Sequence, residues 1–185
     1  MIDVNELRRS VTFTMDGELF KVLEYQHHKP GRGKATIRTT LRNLRTGATI
    51  QHNFTSGDRV EDIRIERRGV QYLYTDGDLY HFMDTETYEQ TALSASVLED
   101  QIPYLKESME LVLATYEDEP LDVELPTTME MEVTESEIAV AGDTATGTLK
   151  KVTLETGLKV QVPLFIKQGD VIRVDTRTGE YVTRV

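Results

Sequence analysis

The chain of 185 residues contains no cysteine and no tryptophan. Without cysteine it has neither a disulfide framework nor a zinc–thiolate site, which fits a reducing compartment. No apolar run is long enough for a membrane span, and the opening residues, Met1 to Glu6, lack the pattern of a signal peptide. We therefore expect a soluble, cytoplasmic protein without a membrane partner.

Motifs for catalysis and cofactor binding are missing as well. The sequence around Gly33-Lys34 does not match a phosphate-binding P-loop, because the motif needs glycine at the position of His28 and serine or threonine at that of Ala35. His27 and His28 are adjacent, and adjacent side chains on a strand point to opposite faces, so they do not chelate one metal ion together. His81 lies near two aspartates and could act as a base, but a hydrogen-bonded strand residue is the more ordinary interpretation. We expect no enzyme, no cofactor and no metal site.

Acidic residues are absent from one stretch of an otherwise acidic chain. The net charge is -11, yet no Asp or Glu lies between Glu24 and Asp58. Residues 1–65 contain 11 Lys and Arg against 8 Asp and Glu, whereas the remainder contains 10 against 24. Such a segregated basic block predicts an anionic partner. Its fixed positive charges are Lys29, Arg32, Lys34, Arg38, Arg42 and Arg45.

The basic stretch is predicted to form two strands that fold about the tip Lys29-Pro30-Gly31-Arg32-Gly33-Lys34. Pro30 presets φ for the second position of a tight turn, and Gly31 suits the positive φ of a type II turn at the third. Arg32 would then project from the apex. The flanking glycines favour a side chain presented to a crowded partner. The alternative is an ordinary solvated arm whose arginines keep a sheet edge soluble.

The descending strand of this hairpin alternates in character. Ile37 and Leu41 share one face, while Arg38 and Arg42 share the other, which predicts one face in a core and one in water. Because fixed cations bind phosphates, we expect Arg38, Arg42 and Arg45 to contact a nucleic-acid backbone.

The chain as a whole is predicted to form short strands joined by turns. Asp16-Gly17 between alternating runs predicts a type I′ hairpin. Residues 1–64, 65–126 and 127–185 are predicted to form one small β-barrel each. The middle unit has five strands, with a short helical piece between the third and fourth, which is the order of an OB-type barrel.

Three local features carry structural expectations. The helical piece, Ser96 to Met109, is limited by Pro103 to a turn or two on either side. The aromatic series that includes Tyr72 and Tyr74 could stack RNA bases, but these two residues share one parity and are expected to face a core. The acidic loop 117–119 is expected to be solvated.

With these elements in place, the chain resembles the bacterial elongation factor P family over nearly its whole length. The tip, the segment Leu44-Arg45-Thr46-Gly47-Ala48 and, most specifically, Val160-Gln161-Val162-Pro163-Leu164-Phe165-Ile166 and Asp175-Thr176-Arg177-Thr178-Gly179-Glu180-Tyr181-Val182 carry the resemblance. The third barrel separates it from the related eukaryotic and archaeal translation factor, which has two domains. The resemblance implies an SH3-like, KOW-type domain followed by two OB-fold domains in an L-shaped, tRNA-like arrangement.

The resemblance also implies a function. Members of the family bind the 70S ribosome, through its rRNA and ribosomal proteins, between the P and E sites. They stimulate peptide bond formation by positioning the CCA end of P-site peptidyl-tRNA, and so relieve stalling at polyproline stretches. They act as monomers, and the chemistry remains the ribosome's. Two alternatives stay open: an elongation-factor-P-like paralogue, and a non-ribosomal OB-fold RNA-binding module.

Roles for particular residues follow from the same resemblance. Arg32 matches the family's tip residue, a candidate for modification by a dedicated enzyme, and Lys34 is expected to assist phosphate contact. Tyr181 and Arg184 match the family's terminal Tyr-Val-x-Arg; Arg184 is expected to contact tRNA or the small subunit, and Tyr181 is expected either to make such a contact or to belong to the core. A loop expected at the small subunit and the E site comprises Gly142, Asp143, Thr144, Ala145, Thr146 and Gly147.

Overall fold

The structure, a computed structural model, describes residues 1–29, 31–137 and 149–185. These residues form three antiparallel sheets, each built from consecutive strands of the chain. The all-β prediction is therefore confirmed. Within the described ranges, no helix has both the length and the apolar character needed to cross a membrane.

The first barrel has six strands in the order β1-β6-β2-β3-β4-β5. Its core is built by inward-facing apolar side chains, among them Phe13, Phe20 and Ile37, while a single 3-10 turn at Val4–Glu6 closes one end. The strands are β1 (Ile2–Asp3), β2 (Thr12–Met15), β3 (Glu18–His28), β4 (Thr36–Asn43), β5 (Thr49–Thr55) and β6 (Arg59–Asp62).

The predicted β2–β3 hairpin is confirmed at its turn. Asp16 and Gly17 both have positive φ, 54° and 80°, as a type I′ turn requires. The next hairpin is much longer, because β3 and β4 remain paired out to His28 and Thr36. Its free end contains the predicted tip, residues 29–34.

The turn geometry predicted for the tip is wrong in one respect. Gly31 does not have a positive φ; Gly33 does, at 104°. The strands end at His28 and Thr36, so the connection is longer than a four-residue turn and its left-handed residue comes later, on the descent into β4. Pro30, to which we assigned the second position of that turn, lies outside the described residues.

The second barrel has five strands in the order β11-β10-β7-β8-β9. A 3-10 turn at Ile102–Tyr104 lies between the third and fourth strands, which confirms the predicted order. No α-helix forms in residues 96–109, because Pro103 removes a backbone donor and only this single turn remains. The strands are β7 (Glu66–Thr75), β8 (Leu79–Asp84), β9 (Gln90–Ser94), β10 (Glu110–Tyr116) and β11 (Glu119–Glu124).

The expectation that Tyr72 and Tyr74 both face the core is wrong for Tyr74. Tyr72 is buried, whereas Tyr74 is 48% exposed and stacks on His81 with the ring centroids 4.5 Å apart. The β7–β8 register shifts between the two tyrosines, so that a β-bulge turns the second one outward. His81 is bonded to Asp76, whose carboxyl oxygen lies 3.0 Å from Nε2, as expected for an ordinary strand residue.

The third barrel has five strands in the order β14-β13-β12-β15-β16. From Thr127 onward, Met129, Met131 and Val133 alternate with polar residues, a pattern that predicts a strand with one buried face, and all three are buried. The loop 142–147 lies outside the described residues. The strands are β12 (Thr128–Ser136), β13 (Leu149–Leu154), β14 (Lys159–Pro163), β15 (Val171–Asp175) and β16 (Glu180–Arg184).

Candidate nucleic-acid interface

The tip of the β3–β4 hairpin presents cations to solvent. Lys29, Arg32 and Lys34 are all exposed, as are Gly31 and Gly33. Within residues 1–29, 31–137 and 149–185, no side-chain hydrogen bond or ion pair engages these three cations. Three positive charges that pair with none of the described carboxylates are available to an external anion.

The glycines beside Arg32 leave space around it. A Cβ built on Gly31 or Gly33 would meet no atom within 4 Å. Gly33 is required by its backbone, because a φ of 104° is strained for any residue with a side chain. Gly31 has no such requirement, so what it contributes is the absence of a side chain next to the guanidinium of Arg32.

Arg38 lies further down the hairpin on its outward face. It is exposed, and it pairs across the sheet with Gln26 on β3 and Asn53 on β5. In the next row on the same face, Thr40 donates to the Glu24 carboxylate over 3.2 Å. The two rows line a polar groove of about 310 Å³. Amides, a hydroxyl and a cation together suit ribose hydroxyls and phosphates.

Arg42 occupies the same face but does not face water. Its Nη1 lies 2.7 Å from a carboxylate oxygen of Asp100, and its Nη2 donates to the Val97 carbonyl oxygen over 3.0 Å. Both partners belong to the second barrel, and the Arg42 side chain is only 14% exposed. The predicted water face is therefore wrong at this position, because the second barrel covers it.

Arg45 is also held by the second barrel. Its Nε and Nη2 donate to the two carboxylate oxygens of Glu119 over 2.8 and 3.0 Å, and its Nη1 donates to the Gly17 carbonyl oxygen. The hydrogen bond from Arg45 lowers the pKa of the Glu119 carboxyl. The expectation that residues 117–119 form a solvated loop is thus wrong for Glu119, whereas Asp118, although it pairs with Arg68, is 82% exposed.

An apolar contact and a buried carboxylate complete this junction. Leu19 and Leu44 of the first barrel pack on Leu121 of the second, and all three are buried. Next to them, Lys21 Nζ lies 4.0 Å from the Asp122 carboxylate. Burial raises the pKa of Asp122 to about 6. The hairpin is therefore exposed at its tip and anchored at its base.

The C-terminal pair occupies a different surface, on the third barrel. The Arg184 guanidinium carbon lies 5.5 Å from the centre of the Phe165 ring, and Nη1 lies 3.9 Å from an Asp170 carboxylate oxygen. Phe165 is 56% exposed, so this cation and ring form an accessible pair. Tyr181 is partly buried and packs against the third core.

The sequence did not point to Gln26 and Asn53 beside Arg38. The sequence shows which residues of each strand share a face. It does not give the register between strands, which decides that Gln26 and Asn53 lie opposite Arg38. In the part of the chain that the structure describes, no group of three or more His, Asp or Glu residues is arranged to hold a metal ion.

Comparison with family models covers nearly the full length of the chain. Residues 3–60 match the model described as "Elongation factor P (EF-P) KOW-like domain". Residues 65–123 match "Elongation factor P (EF-P) OB domain", and residues 129–184 match "Elongation factor P, C-terminal".

Curated relatives align from end to end. The chain is 51% identical over 184 residues to the "Elongation factor P" of Moorella thermoacetica and 51% identical over 185 residues to that of Thermoanaerobacter sp. strain X514, with 100% of each chain covered. A solved structure described as "Eukaryotic translation initiation factor 5A from Methanococcus jannaschii" is 23% identical, with a TM-score of 0.51. That likeness covers 66% of this chain and 92% of the other, and it is one of fold alone.

Proposed function

Because the chain belongs to the elongation factor P family, we propose that it binds the ribosome between the P and E sites and stimulates peptide bond formation. Its substrate complexes are ribosomes stalled at polyproline stretches, and its contact there is the CCA end of P-site peptidyl-tRNA. The observation that carries the proposal is the exposed guanidinium of Arg32 at the end of a hairpin anchored at its base.

The role proposed for Arg32 is to position the tRNA. Arginine keeps its charge and offers a planar set of donors that suits phosphate and ribose oxygens. Contacts of that kind restrain the acceptor end in a reactive geometry, and orientation alone accounts for a large part of many rate enhancements. The catalytic groups belong to the ribosome, so the protein acts without a turnover site of its own.

Further contacts follow the positions of the remaining groups. Lys29, Lys34 and Arg38 lie along the exposed side of the hairpin, where they would meet the tRNA backbone. Arg184 with Phe165, and Tyr181 on the same strand as Arg184, would meet tRNA or the small subunit, and the loop 142–147 would lie toward the E site. This placement corresponds to an L-shaped, tRNA-like monomer in the cytoplasm. The accessibility of Arg32 also suits a tip-modifying enzyme.

Translation of a message with a run of prolines in a purified system lacking this factor tests the proposal. Addition of the wild-type chain is expected to restore full-length product, and Arg32→Ala is expected to abolish most of the effect. Arg64→Ala is the matched control, because Arg64 is an exposed arginine that lies beside Leu44 at the base of the hairpin, at the opposite end from the tip. Equal rescue by wild type and Arg32→Ala would refute the role of the tip.

A conservative variant separates charge from shape. Arg32→Lys keeps the positive charge but loses the planar donor set. Partial rescue by lysine would assign most of the effect to charge, and rescue as weak as that of alanine would assign it to the guanidinium geometry. Binding of the chain to free single-stranded RNA without any effect on translation would instead favour a non-ribosomal RNA-binding module.

A further inference from the structure

The turn between β4 and β5 is a rigid element that faces the second barrel. The buried Asn43 side chain accepts hydrogen bonds from the backbone nitrogens of Arg45 and Thr46 over 2.9 and 3.0 Å. Its amide nitrogen donates to Glu18 over 3.0 Å. Backbone bonds between Asn43 and both Gly47 and Ala48 close the turn. Such a turn has one conformation available, and the groups on it are held in place.

Gly47 of this turn lies directly against the backbone of the second barrel. A Cβ at this position would come within 2.3 Å of the Ser96 carbonyl oxygen and 2.9 Å of its carbon. Carbon atoms of real side chains essentially never approach other atoms closer than 3.0 Å. Because the obstacle is backbone, it has no flexible end that could turn aside. A side chain here must displace the backbone of this turn or of Ser96, and we expect the two barrels to move apart.

The neighbouring contacts explain why this separation would tilt the first barrel. Arg42 is bonded to the carbonyl of Val97, the residue after Ser96, while Arg45 holds Glu119 elsewhere on the second barrel. With the Glu119 contact and the leucine cluster acting as a pivot, a displacement at Gly47 becomes a rotation. Raising the 2.3 Å approach to 3.0 Å takes a shift of about 0.7 Å. Over a span of about 10 Å, the usual separation of packed sheets, this shift is a tilt of roughly 4°.

The tip lies at the opposite end of strand β4 from the Gly47 turn, so a small tilt at the turn displaces it further. Strand β4 runs from Asn43, beside this turn, to Thr36, next to the tip, which spans about 25 Å at the usual rise per residue. A tilt of about 4° then moves the tip by roughly 2 Å. Misplacement by about 1 Å is enough to cost up to about a hundredfold in rate where a reaction depends on orientation.

We propose that Gly47 is a positioning residue. Because it has no side chain, the first barrel packs directly on the Ser96 carbonyl, a contact that we call the seating. This contact sets where Arg32 lies relative to the other barrels. This inference rests on the proposed function of Arg32 for its consequence in translation. The seating itself is a property of the protein alone.

A matched pair of substitutions isolates the contact from backbone strain. Gly17 has nearly the same φ as Gly47, 80° against 76°, and lies at the same junction, where its carbonyl accepts from Arg45. A Cβ on Gly17, however, would meet nothing within 4 Å. Asparagine tolerates the left-handed region better than other residues with side chains. Gly47→Asn and Gly17→Asn therefore share the small strain and differ in the clash, and Gly47→Ala with Gly17→Ala repeats the comparison.

The seating is measured on the free protein by the distance between two spin labels. The chain has no cysteine, so Thr55→Cys near the tip end of β5 and Glu86→Cys in an exposed turn of the second barrel give two labelling sites without background. We expect Gly47→Asn to shift or broaden the distance distribution by about 2 Å or more, and Gly17→Asn to leave it unchanged. An unchanged distribution in Gly47→Asn, with native thermal unfolding, would overturn the seating.

The consequence is measured in the proline-run translation assay over a range of factor concentrations. Gly47→Asn is expected to lower the maximal rate of rescue by about tenfold, as a misplaced tip would, whereas Gly17→Asn retains it. Loss of stability alone would raise the concentration needed and leave the maximal rate unchanged, which would contradict positioning. A shifted distance with a normal maximal rate would contradict it as well. Failure of Arg32→Ala to affect rescue refutes the proposed role of the tip and leaves the distance result standing.

Discussion

The two ends of the β3–β4 hairpin carry the same type of residue in opposite circumstances. At the tip, Arg32 is exposed and engages no residue that the structure describes. At the base, Arg42 and Arg45 bind a carbonyl and carboxylates of the second barrel. The basic residues therefore divide according to what lies opposite them: cations that face acidic groups join the barrels, and cations that face solvent are available to an external anion.

Charge on the two barrels explains this division. Residues 66–126 contain 3 Lys and Arg against 15 Asp and Glu, so the second barrel is strongly acidic. Its acidic groups attract the basic base of the hairpin. The tip extends beyond their reach, since exposed charges separated by more than about 10 Å are largely screened at ordinary salt.

The largest effect on stability is expected at the base of the hairpin, where the charged carboxylate of Asp122 is buried. Burial raises the Asp122 pKa to about 6, above its unfolded value near 4. The folded chain therefore binds the proton more tightly, and the free energy of unfolding falls as pH rises from about 4 to about 6, by about 3 kcal/mol. Asp122→Asn removes that fall and is expected to stabilise the protein at pH 7.5. Urea unfolding of both proteins across this pH range measures the difference.

Asp175→Asn provides the control of opposite sign. Hydrogen bonds from Arg177 lower the Asp175 pKa to about 2, so that its contribution to stability is present above pH 4 and is lost as pH falls through 2. The asparagine variant should therefore be less stable than wild type at neutral pH. If Asp122→Asn, like Asp175→Asn, lowers the free energy of unfolding at pH 7.5, then the charge of Asp122 at the base of the hairpin does not destabilise the fold.

A smaller effect is expected from removing one arginine from each end. Arg42→Ala loses a charged hydrogen bond to the Val97 carbonyl, and we expect it to cost about 1–2 kcal/mol. The bond to Asp100 adds little, because that carboxylate is 77% exposed. Arg32→Ala should stay within about 0.5 kcal/mol of wild type. Chemical denaturation of the two variants compares the ends directly, and equal losses would break the distinction between them.

The smallest effect is expected in the salt dependence of binding. Each phosphate neutralised by a cation contributes about 0.7 to 0.9 to the slope of log affinity against log salt. Arg38→Ala should reduce the slope for ribosomes carrying peptidyl-tRNA by about that amount. Arg45→Ala should leave the slope unchanged, because Glu119 already holds that guanidinium. Identical slopes for the two variants would assign both arginines to the same kind of contact.

The features that the sequence predicted correctly depend on residues that are neighbours in the chain. The Asp16-Gly17 turn needs only two adjacent residues with positive φ, and the alternation of Met129, Met131 and Val133 needs only one strand. Arg32 was recognised in the same way, from its immediate neighbours. By contrast, the outward turn of Tyr74 depends on a bulge set by pairing with β8, and a shift of one residue reverses the face.

Local sequence patterns were enough to predict most strands, the Asp16-Gly17 turn and the exposed arginine at the tip, because each depends on residues close together in the chain. Packing between the barrels determines which arginines remain exposed and why a side chain at position 47 would clash. Arg42 finds Val97 and Asp100 across 55 and 58 residues, and Arg45 finds Glu119 across 74. Contacts at such separations are made by the packing of one barrel on another, and no local pattern encodes which pairs will meet.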